Sequence, residues 1–344
     1  ERGFLWSIND VVYGNEEKER KPVAPFIREV NNYPGLLSII MSIEGLVNKR
    51  SSHASGVILY GEDPYETAAF MRTPSGDLIT CYDLHKAEAA GDTKYDFLVT
   101  EISDKIIKCF EMLENDNIIE HDTLRNTYNK YLHPDVLPLE DKRIWNALEN
   151  ASVLNLFQFD SEVGKQAAKK IKPSSILEMS AANGLMRLMT AEKGEETPMD
   201  KYIRFKKNPQ DWIAEMKKEG LTSSEMEVFK KHIGDTYGVG ISQEQLMRAL
   251  MDPEICNFSL KDANASRKII GKKLMSEIPV LRQKILDTAK SEEIGRYVWR
   301  AIVAPQLGYS FSDIHSLSYS FIGTQTIYLG VYYNPIYWNT ACLI

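Results

Sequence analysis

The sequence predicts an α+β protein, with a small mixed α/β portion followed by a large, mainly helical one. Two observations carry this. Short runs rich in β-branched and aromatic residues cluster before residue 100. After Glu101 the apolar residues recur almost throughout at helical spacing. Strands gathered at one end and helices at the other describe a segregated chain, not an alternating βαβ one.

The elements follow in order. Residues 36–48 (LLSIIMSIEGLVN) carry helical apolar spacing after an Asn32-Tyr33-Pro34-Gly35 turn. The basic, serine-rich NKRSSHASG (48–56) leads into VILY at 57–60. Its small residues Ala54 and Gly56 let the backbone turn tightly or let another group approach it. A Pro74-Ser75-Gly76 turn precedes DLITCYD (77–83), and KYDFLV (94–99) reads as a strand. In the helical portion one short apolar strand, SVLNLFQF (152–159), is expected, with polar breaks around Gly194 and at Asn208-Pro209. Thr222-Ser223-Ser224-Glu225 marks a helix start, and Ser291-Glu292-Glu293 opens another ahead of Ile294, Val298 and Ile302. Residues 314–344 lack Asp, Glu, Lys and Arg, but His315, Ser316, Ser320, Thr324 and Gln325 make them too polar for a bilayer span of about 20 apolar residues. They read as a buried helix, with no membrane contact expected.

Composition narrows the function. At 344 residues, with 43% hydrophobic and 26% charged, the chain should hold two or three packed units. A formal charge of −7 gives no global attraction to nucleic acid, so such a role rests on local basic runs. Three are present: Lys169-Lys170-Ile171-Lys172, Arg204-Phe205-Lys206-Lys207, and Arg267 to Lys273. Cys81, Cys109, Cys256 and Cys342 lie far apart with no CxxC, which points to reduced thiols in a cytoplasmic protein. Glu1 opens the sequence without a methionine or a signal segment, as in a processed product or an excerpt. There is no internal repeat, nucleophile elbow, Walker loop, dinucleotide fingerprint or HExxH.

Three stretches offer chemistry. Strand alternation in KYDFLV places Tyr95, Phe97 and Val99 on one face and Lys94 with Asp96 on the other. A carboxylate in so apolar a strand is exposed, paired or metal-bound, and a solvated Lys/Asp face is the plain alternative. Asp83 is a weaker case of the same kind. In 267-RKIIGKK-273 a helix would bring Arg267, Lys268, Gly271 and Lys272 near one face, suited to phosphate. Alternatively Gly271 is a C′ stop whose basic neighbours complement a helix C-terminus. The third, 308-GYSFSDIHSLSY-319, is a Gly/Ser-rich turn into a helix with His315 on its first turns, where a lone His is more often a core or capping residue. His121-Asp122 and His133-Pro134-Asp135 lack further ligands for a metal.

In order along the chain, these stretches resemble the C-family bacterial replicative polymerases, the DNA polymerase III alpha subunits. IEGLVNKRSSHASGV (43–57) resembles their LEG…HAxGV segment, TCYD (80–83) their TQ(F/Y)D, and KYDFL (94–98) their K(M/F)DFLG. LFQFDSEVGKQAAKKIKP (156–173) is similar to VFQxES…K…LKP, and TYGVGISQEQLM (236–247) to TYGIxxYQEQVM. LKDANASRKIIGKK (260–273) follows GxADxLRRAMGKK, and GYSFSDIHSLSYSFIGTQTIYL (308–329) follows GYGFNKSHAxAYxxxxYQTAYL. Seven ordered blocks, in a divergent sequence with the look of a phage or prophage copy, carry the resemblance.

The resemblance implies a fragment spanning the end of the thumb (1–42), the second part of the palm (43–100) and much of the fingers (101–344). It implies two-metal nucleotidyl transfer with Mg2+, primer–template DNA and deoxynucleoside triphosphates as partners, and a sliding clamp and replisome reached through other regions. It makes Asp96 the third catalytic carboxylate and a metal ligand. Lys94, Arg267, Lys268, His315 and Arg187 become nucleotide contacts, and His53, Lys272 and Lys273 DNA contacts. There are departures. The family's PDxDxDF motif is absent, and no Asp-x-Asp occurs. Asp313 stands where the family has Lys, Ser52 where it has Lys or Thr, and Asn48 where it has Arg. The Pro-Gly-Pro after the Arg187 helix is also missing. With one metal-site carboxylate the fragment alone is expected to be inactive. The alternative is a non-catalytic relative that binds DNA or a replisome partner.

Overall fold

The computed structural model describes residues 6–16, 20–46, 50–97, 100–187, 196–307 and 309–344. The expected break at Gly194, the helix end at 47–48 and the strand end at 98–99 lie outside them. The chain forms two compact units, Glu1–Glu101 and Ile102–Ile344. Among described residues it is mostly helical with a small strand content at the N-terminal end, an α+β fold.

The first unit carries α1 (Ile8–Tyr13), α2 (Ala24–Asn31), α3 (Leu36–Ile43), α4 (Pro64–Thr67) and α5 (Leu84–Ala90). Its strands are β1 (Gly56–Leu59), β2 (Phe70–Arg72), β3 (Leu78–Thr80) and β4 (Thr93–Asp96). They form two antiparallel pairs, β1 with β4 and β2 with β3. α3 is shorter than its apolar spacing suggests, because Gly45 turns into the left-handed region at φ 86°. β3 likewise stops at Thr80, since Asp83 caps α5 by accepting the Lys86 N–H at 2.9 Å. That is a structural task for Asp83. Only Val12, Val30 and Ala87 are buried apolar side chains among this unit's described residues, while Val57, Leu59, Tyr95 and Phe97 are exposed.

The second unit runs through α6 (Glu101–Asn115), α7 (Leu124–Tyr131), α8 (Lys142–Glu149), α9 (Glu162–Ile171), α10 (Ile176–Leu185), α11 (Pro198–Lys207) and α12 (Pro209–Lys218). It continues through α13 (Ser223–Ile233), α14 (Gln243–Met251), α15 (Leu260–Gly271), α16 (Ile278–Thr288), α17 (Glu292–Val298), α18 (Asp313–Tyr332) and α19 (Pro335–Leu343). The helix starts follow side-chain chemistry. Thr222 and Glu225 complete a capping box, as do Ser242 and Gln245, and Asn208 both ends α11 and caps α12. The Ser291 hydroxyl accepts the Ile294 N–H at 3.2 Å, and Ile294, Val298 and Ile302 are buried. The core packs Leu113, Leu148, Phe159, Phe205, Phe229 and Trp338 out of solvent.

Two expectations are corrected here. Residues 152–159 form no strand. Ala151, Asn155 and Gln158 have left-handed φ of 47°, 54° and 67°, and the stretch coils so that Val153, Leu156 and Phe159 are buried at every third residue. Residues 314–344 are two helices and not one, because Asn334 caps α19 and Pro335 starts it. No helix is long and apolar enough to cross a membrane among the described residues.

Candidate functional site

In the first unit the register pairs Gly56 with Asp96 and Ile58 with Lys94, so Gly56, Ile58, Lys94 and Asp96 share a face. The Lys94 ammonium lies 2.9 Å from Asp96 Oδ2 and 2.8 Å from Oδ1. Glycine makes this possible. A Cβ on Gly56 would sit 2.7 Å from Lys94 Cε and 2.9 Å from His53 Nδ1. His53 Nδ1 accepts the backbone N–H of Gly56 at 2.7 Å and of Ser55 at 3.1 Å, which fixes the turn before β1. His53, Lys94 and Asp96 are therefore brought together over one glycine. Asp96 is half exposed and is met by a lysine.

In the second unit Arg267 sits half-buried on α15. Its Nε donates to Asn264 Oδ1 at 3.0 Å and its Nη1 to Gln243 Oε1 at 3.1 Å. Gln243, the first residue of α14, donates its Nε2 to the Ser310 carbonyl at 3.1 Å and its backbone N–H to the Phe311 carbonyl at 2.8 Å. The Phe311 ring lies 5.1 Å from the Arg187 guanidinium, which donates to Gln158 Oε1 at 2.6 Å. His315 packs on the same ring at 5.4 Å and on Tyr319 at 3.9 Å. Burial, and then the neighbouring Arg187 charge, hold the His315 imidazole below its ordinary pKa.

Arg187, Arg267 and His315 are thus joined through Gln243 and Phe311. Lys268, Lys272 and Lys273 are exposed at the end of α15. Among the described residues no carboxylate is within ion-pair reach of these five cations, Arg187, Arg267, Lys268, Lys272 and Lys273. Gly271 is the last helical residue and Lys272 the C-cap, while the left-handed position falls on Lys273 at φ 53°. The reading of Gly271 as a left-handed stop is corrected. A Cβ there would meet nothing within 4 Å. Asp313 opens α18, with its N–H donating to Glu244 Oε2 at 2.8 Å and Arg248 3.7 Å from its carboxylate. Burial first, then the Glu244 charge, push its carboxyl up, against the Ser242 hydrogen bond and Arg248.

The described residues contain no group of three or more His, Cys, Asp or Glu able to hold a metal ion. His121 and His133 are each near one carboxylate, Glu114 at 3.6 Å and Asp135 at 3.4 Å. A cavity of about 790 Å³ is lined by Ile106, Phe110, Leu124, Tyr128, Ile322 and Gln325 and includes none of the predicted site residues. Sequence reasoning missed Gln158, Gln243 and Phe311. Gln158 was hidden in a stretch read as a strand. Gln243 and Phe311 stood in blocks that served as family markers without a role of their own.

Comparison with known proteins matches residues 109–293 to the bacterial DNA polymerase III alpha subunit finger domain, and residues 5–99 to the bacterial DNA polymerase III alpha NTPase domain. The "Probable DNA polymerase YorL" of Bacillus subtilis (strain 168) and the "DNA-directed DNA polymerase" of Bacillus phage SPbeta are each 43% identical over 348 residues, covering 100% of this chain and 26% of the relative. The DNA polymerase III subunit alpha of Aquifex aeolicus (strain VF5) is 27% identical over 304 residues, 87% of this chain and 24% of that protein. The chain spans about a quarter of the length of these relatives. With its NTPase-domain portion followed by a finger domain, the chain belongs to the bacterial DNA polymerase III alpha family.

Proposed function

We propose that this chain is part of a DNA-directed DNA polymerase that adds deoxynucleotides to a primer 3′ end. The observation that carries the reading is the pairing of Arg187 and Arg267 with glutamine oxygens and, among the described residues, with no carboxylate. A guanidinium so held keeps its charge for an anion, and its planar fork suits phosphate oxygens. In this reading Arg267, Lys268 and Arg187 take the nucleotide triphosphate, with His315 beside them, and Lys94 is likewise assigned to nucleotide binding. His53, Lys272 and Lys273 contact DNA phosphates. Residues 1–42, 43–100 and 101–344 are thumb, palm and fingers portions. Primer–template DNA and deoxynucleoside triphosphates are the direct partners, with a clamp and replisome engaged elsewhere in a longer cytoplasmic polymerase.

Asp96 is the proposed catalytic carboxylate and metal ligand, with Mg2+ as the metal of such chemistry. One carboxylate paired with a lysine does not fit a two-metal site. Asp96 is assigned one ligand position in a longer chain. The Lys94–Asp96 pair and the acidic Asp313 favour a second reading, a non-catalytic relative that binds DNA or a replisome partner. Single-nucleotide incorporation by the longer polymerase separates the two. The proposal expects Asp96→Asn to abolish incorporation while fold and primer–template binding stay near wild type. Incorporation within about tenfold of wild type would leave only the second reading, since losing a catalytic group ordinarily costs more.

A further inference from the structure

Several arginines elsewhere in the helical unit are held by carboxylates, while Arg282 lies over the Trp299 ring. Arg204 meets Glu196 and Glu215, Arg300 meets Glu215 and Glu219, Arg296 meets Glu292, and Arg143 meets Asp141. Arg187 and Arg267 depart from that pattern, each held by the side-chain oxygen of a glutamine. An acid was at hand. Glu244 follows Gln243 directly, yet it turns to the start of α18 and accepts from Ser312 Oγ and the Asp313 N–H, both at 2.8 Å. The Gln243 amide is oriented by its second bond, because Nε2 donates to the Ser310 carbonyl and leaves only Oε1 for Arg267. Gln158 reaches Arg187 from a left-handed backbone at φ 67°, uncommon for a residue with a Cβ.

We propose that Gln158 and Gln243 are positioning residues that hold Arg187 and Arg267 in place while leaving their charge uncompensated for an anionic ligand. This rests on the polymerase reading above and adds a selection rule to it. Were the two contacts only anchors between elements, a carboxylate would serve better, since it adds ion pairing and a bidentate geometry to what a single amide oxygen offers a guanidinium. Were the charge the point, a carboxylate would compete with the ligand's phosphates and weaken binding. The two roles predict different consequences for ligand binding on one substitution, Gln243→Glu, which keeps length and shape, adds a counter-ion and gives up the bond to the Ser310 carbonyl.

The test is calorimetric titration of the longer polymerase with dATP, alongside thermal unfolding. Arg267→Ala is expected to weaken dATP binding by about tenfold or more, the effect of one lost charged hydrogen bond. Gln243→Glu is expected to weaken it by a similar factor while the chain stays folded, even though the bond to the Ser310 carbonyl is lost. If Arg267→Ala loses affinity and Gln243→Glu stays within about twofold of wild type, the glutamine rule is wrong and the polymerase reading stands. If wild type and Arg267→Ala bind dATP alike, the polymerase reading itself fails and the rule falls with it. Should Gln243→Glu not fold, Gln158→Glu decides by the same criterion against Arg187→Ala.

Discussion

A cation's partner decides what else it is free to bind. Lys206 is committed to Glu178 and to the carbonyls of Ile171 and Lys172, so one of the basic runs seen in the sequence is partly structural. Arg267 donates only to the amide oxygens of Asn264 and Gln243, and no carboxylate is within ion-pair reach of it or of Lys268 among the described residues. In the longer polymerase, replacing either by Ala is expected to raise the nucleotide KM or lower kcat at a cost of about 1.5–3 kcal/mol. A change confined to thermal stability would make them helix-end residues only. Asp252 gives a pH prediction. Burial alone would raise its carboxyl, but the Glu254 N–H, Lys231 and His232 more than reverse that and bring it to about 2. A depressed carboxylate stabilises the fold above its unfolded value near 4, and that stability is lost as pH falls through about 2. Asp252→Asn should therefore shrink the difference in unfolding free energy between neutral pH and about pH 2 by on the order of 2 kcal/mol, read from urea unfolding at both.

At the scale of elements, the α15 C-terminus separates packing from binding. Gly271 is helical, exposed and free of neighbours. Gly271→Ala should stabilise the chain by about 0.5–1 kcal/mol from helix propensity. If a phosphate backbone passes close to that turn, the same substitution weakens DNA binding, and the two readouts move in opposite directions. What the sequence made legible also sorts by element. Caps such as Thr222 and Ser291 were legible because their chemistry is local. Residues 152–159 misled because a nearly continuous apolar run looks like a strand until left-handed Asn155 and Gln158 fold it up and bury every third side chain. β2 was invisible at three residues, and Phe70–Arg72 holds only by pairing with Leu78–Thr80. Of the site, the individual cations were legible through the family pattern. Their glutamine partners were not, because Gln158 with Arg187 and Gln243 with Arg267 join different segments, and such pairings leave no trace in local spacing.

At the scale of the molecule, the two units differ in how much they bury. The second has an extensive core, whereas the first leaves Val57, Leu59, Tyr95 and Phe97 exposed around two-stranded sheets. Two-stranded sheets with so little core are marginal on their own. Hydrogen exchange is expected to be fast across β1 to β4 and slow in α10, α14 and α18, and equal protection in both units would contradict that difference. The chain's net charge of −7 means that DNA binding must run through a local cluster. The most direct test of that claim is the affinity of the purified chain for a labelled primed template as salt is raised. Weak binding that falls steeply with salt, with a slope reduced by about one in Lys272→Ala and in Lys273→Ala, is the predicted result. Binding whose salt slope is near zero, or is untouched by both substitutions, would contradict a phosphate-binding role for this site.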